Sequence, residues 1–141
     1  MKELLHIRLG TEDDAPRCQF IARQWRNELP FVMRPALREA AARKQLFIAE
    51  VNGHVVGFVH WYARLDGWNT IHEIAVGRAF LGWGIGRALL NSVPTPRQLK
   101  CKADNNRANR FYAAVGMKQA GTETTRKGTP LILWQDDEWG E

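Results

Sequence analysis

A chain of 141 residues, 45% of them hydrophobic, is long enough to bury a core without disulfide or metal staples and fits one domain. Its net charge of +5 rests on arginine, fourteen of the twenty basic residues, which attracts anions; no zinc-finger spacing, helix-turn-helix pattern or arginine–aromatic stripe marks a dedicated nucleic-acid binder. No apolar run nears the length of a membrane span, the first residues carry no signal-peptide h-region, and Cys18 and Cys101 are too few for a disulfide framework or a metal site.

Alternation over Leu4 to Leu9 predicts the first strand. Thr11-Glu-Asp-Asp14 offers a helix cap, with Pro16 in the first turn, for a helix reaching about Trp25 or Arg26. Pro30 interrupts, and Arg34 to Lys44 reads as a second helix, rich in good formers. Gln45 to Val51 and His54 to Ala63 are strands joined by Asn52-Gly53, a strong hairpin signal. Asp66-Gly67 turns the chain into a strand from Asn69 to Val76. A helix opens at Gly84 and stops before Pro94 and Pro96, with Ile85, Ala88 and Leu89 on one face. A strand Gln98 to Lys102, a helix Asn105 to Val115, and strands near Met117 to Thr124 and Thr129 to Gln135 come next. Residues 136–141 form an acidic tail expected to fray. The order β-α-α-β-β-β-α-β-α-β-β has no repeat, linker or low-complexity tract, and both cysteines read as small buried hydrophobes in a reducing, cytoplasmic setting.

Two segments carry chemistry. Phe80-Leu-Gly-Trp-Gly-Ile-Gly-Arg-Ala-Leu-Leu90 comes after a strand and opens a helix, so glycines 82, 84 and 86 sit where a backbone turns tightly. Unpaired N–H groups at such a helix mouth suit a phosphate; a tight turn with no ligand explains the glycines equally well. The second segment, Asn105-Asn-Arg-Ala108-Asn-Arg-Phe111-Tyr112-Ala-Ala-Val-Gly116-Met117, has the form N-x-x-A-x-x-F-Y-x-x-x-G-M and also comes after a strand.

In this order, about twenty residues apart, the two segments resemble the GNAT superfamily of acyl-coenzyme A-dependent N-acyltransferases, over roughly residues 6 to 135. The resemblance implies an α/β fold: a mixed sheet of six to seven strands, about four helices, and two central parallel strands that splay apart. It implies a single domain over residues 1–135. It also implies direct transfer of an acetyl group from acetyl-coenzyme A to a primary amine, on a small molecule or on a protein or peptide, with no metal and no membrane; a homodimer is compatible with it. Two other readings stay open: a module that binds coenzyme A or a partner without catalysis, and an acyltransferase-like protein acting on nucleic acid.

Carried over residue by residue, the donor's pantetheine arm would pair with the backbone of Ile74, Ala75 and Val76. Its pyrophosphate would take N–H groups from Leu81, Gly82, Trp83, Gly84, Ile85, Gly86 and Arg87. The Arg87 side chain is either a phosphate partner or a solvent-facing arginine. Asn105 would hold the arm or fix the strand's end, with Ala108 in the same motif, and Tyr112 would hydrogen-bond to the departing thiolate or protonate it. An N–H near Val76 would hold the oxyanion. Glu73, His72 or water alone would take the amine's proton, and adjacent strand residues point to opposite faces unless a bulge intervenes. His54 and His60 read as structural. The family's usual Arg or Gln is replaced by Leu81, and the usual polar residue before Gly84 by Trp83. Acceptor choice is expected from the Asn27–Arg38 segment and from the turns at 62–69 and 124–130, where Glu28, Asp66 and Glu123 could meet a cationic amine and Arg26, Arg34, Arg38 and Arg126 an anionic group.

Overall fold

The structure, a computed structural model, describes residues 4–136. In chain order it contains β1 (Leu5–Leu9), α1 (Ala15–Arg23), α2 (Arg34–Ala42), β2 (Leu46–Val51), β3 (His54–Ala63), β4 (Asn69–Val76), α3 (Ile85–Ser92), β5 (Arg97–Lys102), α4 (Asn106–Ala114), β6 (Lys118–Thr124) and β7 (Pro130–Asp136). The seven strands form a mixed sheet in the order β1-β2-β3-β4-β5-β7-β6, with β4 and β5 parallel. Architecture and element order are those expected from the sequence. The chain divides into two compact units, one built from residues up to Tyr62 with Ile71–Val93, the other from Ala63–Thr70 with Pro94 onward.

In the first unit, α1 and α2 cover the sheet through Ala15, Cys18, Ile21, Ala22, Leu37 and Ala40, packed on Leu46, Ile48, Phe58 and Ala75. The β2–β3 hairpin turns where expected, with Asn52 and Gly53 both at positive φ (52° and 81°), the backbone of a type I′ turn. Helix α1 ends two or three residues earlier than the sequence suggests. The N–H groups of Gln24, Trp25 and Arg26 reach back only three residues, to Ile21, Ala22 and Arg23, so the last turn tightens and the helix gives way to turns.

In the second unit, β5 pairs with the start of β4 through Asn69↔Arg97 and Thr70↔Gln98, and with β7 from Arg97↔Asp136 to Lys102↔Leu131. Arg97 and Asp136 also form an ion pair, so β7 runs one residue past the expected end of the domain and takes Asp136 out of the acidic tail. The rest of that tail, 137–141, lies outside the described residues. Helix α4 ends in a Schellman motif: Met117 N–H donates to Tyr112 O at 3.0 Å and Gly116 N–H to Ala113 O at 3.1 Å, with Gly116 at φ 95°. Both Tyr112 and Met117 are buried, the apolar contact that accompanies this motif.

Candidate active site

After β4 the chain makes a short 3-10 turn over Arg78–Phe80 and enters the glycine segment. Gly82 and Gly84 stand at φ 85° and 80°, a left-handed backbone that costs an L residue roughly 1–2 kcal/mol. A Cβ added to either would meet nothing within 4 Å. Backbone conformation, not crowding inside the chain, therefore requires glycine at these two positions. Gly86 lies within α3 and needs no such conformation. Gly84 caps α3, and the first helical bond runs from Ala88 N–H to Gly84 O at 3.1 Å. The N–H groups of Ile85 and Gly86 precede that bond at the positive end of the helix dipole. Open space beside amides at a positive helix end fits a phosphate group. The Ile85 side chain is buried, whereas Arg87 is exposed in the first turn. Leu81 and Trp83 are exposed as well, with Trp83 edge-on to Phe80 at 5.2 Å between centroids.

On β4, Ile74 and Val76 are half-buried and Ala75 is buried. The Val76 carbonyl accepts the Trp25 indole N–H at 2.8 Å. Arg78 lies 4.0 Å from the centre of the Trp25 ring, and its N–H and Nε donate to Gln24. The end of α1 is thereby fastened to the end of β4.

His72 and Glu73 do not obey strict alternation. The bond from Gly77 N–H to Val56 O sets a register in which Glu73 faces His60 on β3, and His60 Nδ1 lies 2.8 Å from Glu73 Oε1. The His72 ring nevertheless stacks on the same His60 at 5.0 Å and meets Tyr62 at 4.6 Å. Two consecutive β4 residues opposite one β3 residue make a β-bulge, the exception the sequence left open. Their surroundings differ. The side chains of His60 and Glu73 are 15% and 12% exposed, whereas that of His72 is 48% exposed. Partial burial holds the His72 imidazole below its ordinary pKa, against the pull of Glu73, so the ring is neutral at physiological pH. His60, read from the sequence as structural, is the side chain that meets Glu73, a pairing the sequence reading did not name.

In the second unit, Asn105 caps α4: its Oδ1 accepts the Ala108 N–H at 3.2 Å. The side-chain carbonyl is committed to the helix, so Asn105 fixes the end of the strand–helix connection. Ala108 is half-buried one turn on. Tyr112 is 8% exposed, with Phe111 edge-on at 5.4 Å and Trp134 at 6.2 Å. Trp134 is held in turn by its indole bond to Asn109 Oδ1 at 2.8 Å. Burial raises the Tyr112 pKa far above that of a free phenol, so the hydroxyl keeps its proton. Among the described residues nothing hydrogen-bonds that hydroxyl.

Burial also pushes the Cys18 thiol up to about 12 and the Cys101 thiol up to about 11, so neither is an available thiolate nucleophile. Among the described residues no three His, Cys, Asp or Glu side chains gather to hold a metal ion. Nor is any helix long and apolar enough to cross a membrane. One carboxylate oxygen, Glu28 Oε2 in the connection after α1, is buried without a hydrogen-bond partner.

The family model described as an Acetyltransferase (GNAT) domain matches residues 42–118, more than half of the chain. No curated protein matches the chain by sequence. Among solved structures, the fold is similar to that of a GNAT-family acetyltransferase from Bacillus cereus, with a TM-score of 0.83 and 15% identity over 96% of this chain and 99% of that one. It is also similar to the ribosomal-protein-S18-alanine N-acetyltransferase of Escherichia coli, with a TM-score of 0.72 and 22% identity over 98% and 97% of the two chains. A third similar structure, yncA of Salmonella typhimurium, holds its cofactor acetyl-CoA; its TM-score is 0.76 and its identity 16%, over 98% and 97% of the chains.

Proposed function

Because the chain belongs to the GNAT acetyltransferase family, we propose that it is an acetyl-coenzyme A-dependent N-acetyltransferase moving the acetyl group directly to a primary amine. The observation that carries this reading is the α3 mouth, where two left-handed glycines leave open space beside the first amides of a helix. When bound, acetyl-coenzyme A supplies the acetyl group as an activated thioester. The loop from Leu81 to Arg87 binds its phosphates through backbone N–H groups, and the backbone of Ile74 to Val76 binds the arm. Glu73 takes the proton from the amine, with the neutral His72 as the second candidate. Tyr112, which burial keeps protonated, gives a proton to the departing thiolate. Two buried, protonated cysteines favour direct transfer over a covalent acyl-enzyme. Residues 1–135 act as one acyltransferase domain, and a cytoplasmic setting goes with this reading.

The buried, unpartnered Glu28 oxygen favours an acceptor that brings a cationic group to the α1–α2 connection. Incubation with acetyl-coenzyme A and a panel of small amines, amino-terminal peptides and nucleosides, with free thiol as the readout, tests the whole reading. Thiol release that depends on an amine is the expected result, with cationic acceptors strongest. Coenzyme A binding without release by any acceptor would leave the non-catalytic module, for which the exposed Leu81 and Trp83 in the loop speak.

Those two residues suggest a further expected result. If Leu81 merely lacks the charge usual at this position, Leu81→Arg adds a charge-assisted contact worth about 1.5–3 kcal/mol. Donor affinity, measured by calorimetry, would then rise roughly ten- to a hundred-fold. Unchanged or weaker binding would mean that Leu81 and the Phe80–Trp83 pair form a loop adapted to its own ligand geometry.

A further inference from the structure

We propose that His60 is a positioning residue for the proton-accepting step, forming with Glu73 a single unit that presents one carboxylate oxygen to the acceptor amine. The proposal rests on the reading of Glu73 as the base, and it adds a residue from a different strand. Three observations carry it. His60 Nδ1 and Glu73 Oε1 lie 2.8 Å apart between side chains that are both largely withdrawn from water. The bulge places His72 as well as Glu73 opposite His60, so the His60 ring is covered by the His72 ring at 5.0 Å. Across β2, His60 faces Leu46, which is fully buried and offers no competing hydrogen bond from its side chain.

This arrangement has a chemical consequence. A carboxylate free to rotate presents either oxygen to a substrate and is solvated on both. With His60 in the tautomer that carries the Nδ1 proton, Oε1 is taken and the carboxylate plane is fixed. Oε2 is left as the proton acceptor, 3.9 Å from His72 Nδ1. As the bond from the amine nitrogen to the acetyl carbon forms and the carbon–sulfur bond breaks, the nitrogen's proton passes to Oε2. His60 keeps its own proton throughout, and the thiolate takes a separate one from Tyr112. The other titratable groups facing the pair are Tyr62 on β3 and His72 on β4. The core on that side of the sheet includes the protonated Cys18.

The test is a double-mutant cycle on kcat in the full chain, with acetyl-coenzyme A and whichever acceptor gives wild-type thiol release. Glu73→Gln should lower kcat roughly a hundred-fold or more, the range of a positioned base, and His60→Ala roughly ten- to a hundred-fold, each with the donor KM unchanged. Groups that act as one unit are not additive, so the double variant should be no slower than Glu73→Gln alone. His60→Asn, whose side-chain amide can still donate to Oε1, should recover most of the activity lost in His60→Ala. A merely structural His60 would give multiplied losses in the double variant and no rescue by asparagine, and either result overturns the proposal. Melting temperature and its shift with coenzyme A identify any variant that fails to fold, and His60→Asn then decides alone. A wild-type protein that binds coenzyme A yet releases no thiol with any acceptor sinks the enzymatic reading itself, and this proposal with it. Activity in the wild type with a multiplicative cycle sinks only the role of His60.

Discussion

Tyr112→Phe is expected to lower kcat by roughly ten- to a thousand-fold, reaching into the range of a positioned general acid, while leaving donor affinity almost unchanged. The separation comes from how the residue is built in. Its backbone is fixed by the Schellman turn through Met117 N–H, and its ring is packed by Phe111 and by a Trp134 that Asn109 locks in place. Phenylalanine keeps all of that packing. Only the hydroxyl goes, and since no described residue hydrogen-bonds it, the fold loses little by its removal. Because burial raises the phenol's pKa, the acid is protonated at every pH at which the protein would be assayed. The wild-type rate should therefore show no alkaline fall from loss of this group, and a plateau at high pH is part of the expected result. An unchanged kcat in Tyr112→Phe, with chemistry shown to be rate-limiting by the absence of a viscosity effect, would remove Tyr112 from the mechanism and leave water to protonate the thiolate.

The second large effect is expected at Gly84. Coenzyme A at a hundred times its dissociation constant should stabilise the wild-type protein by about 2.7 kcal/mol, several degrees of melting temperature in a domain of this size. Gly84→Val should abolish that shift. Valine cannot comfortably hold the left-handed conformation that Gly84 has at φ 80°, so the cap of α3 must change and the first amides of the helix turn elsewhere. The basal melting temperature should fall by less than a core substitution would cause, because a Cβ at this position meets nothing within 4 Å. Gly86→Val is the companion: it stands inside α3, where the backbone is ordinary, so a loss of the shift there reports occupied ligand space and not a broken turn. Normal ligand shifts in both variants would mean that the glycine segment is only a turn.

The features legible in the sequence are those that local backbone chemistry dictates. The Asn52-Gly53 hairpin, the Gly84 cap and the Gly116 end of α4 are positions where few residues fit, and each falls where the sequence put it. Cys18 and Cys101 are buried as expected, since small apolar side chains without partners have nowhere better to go. The end of α1 was not legible to the residue, because Trp25 is drawn from the helix by an indole bond to Val76, fifty-one positions away. The same limit hid His60. Nothing local distinguishes it from His54; its pairing with Glu73 comes from the strand beside it and from a register that shifts at residues 72 and 73. Asn105 shows the reverse case: of the two roles the sequence offered, holding the arm or fixing the strand's end, its carbonyl bond to Ala108 N–H goes with the second.

That shift of register bears on which changes in length the protein can accept. A deletion of one residue within a regular strand turns every later side chain to the other face of the sheet. At the bulge the rule inverts, because the strand already carries one residue more than its partner. Loss of His72 would restore an even ladder and leave Glu73 opposite His60, with Ile74, Ala75 and Val76 still on their present faces and the glycine segment at its present distance. Loss of Glu73 would even the ladder too, at the expense of the carboxylate, whereas loss of Ile71, Ile74, Ala75 or Val76 would carry that segment out of step. The bulge is thus the point in β4 where the chain could shed a residue without rebuilding the glycine turn and the helix it opens.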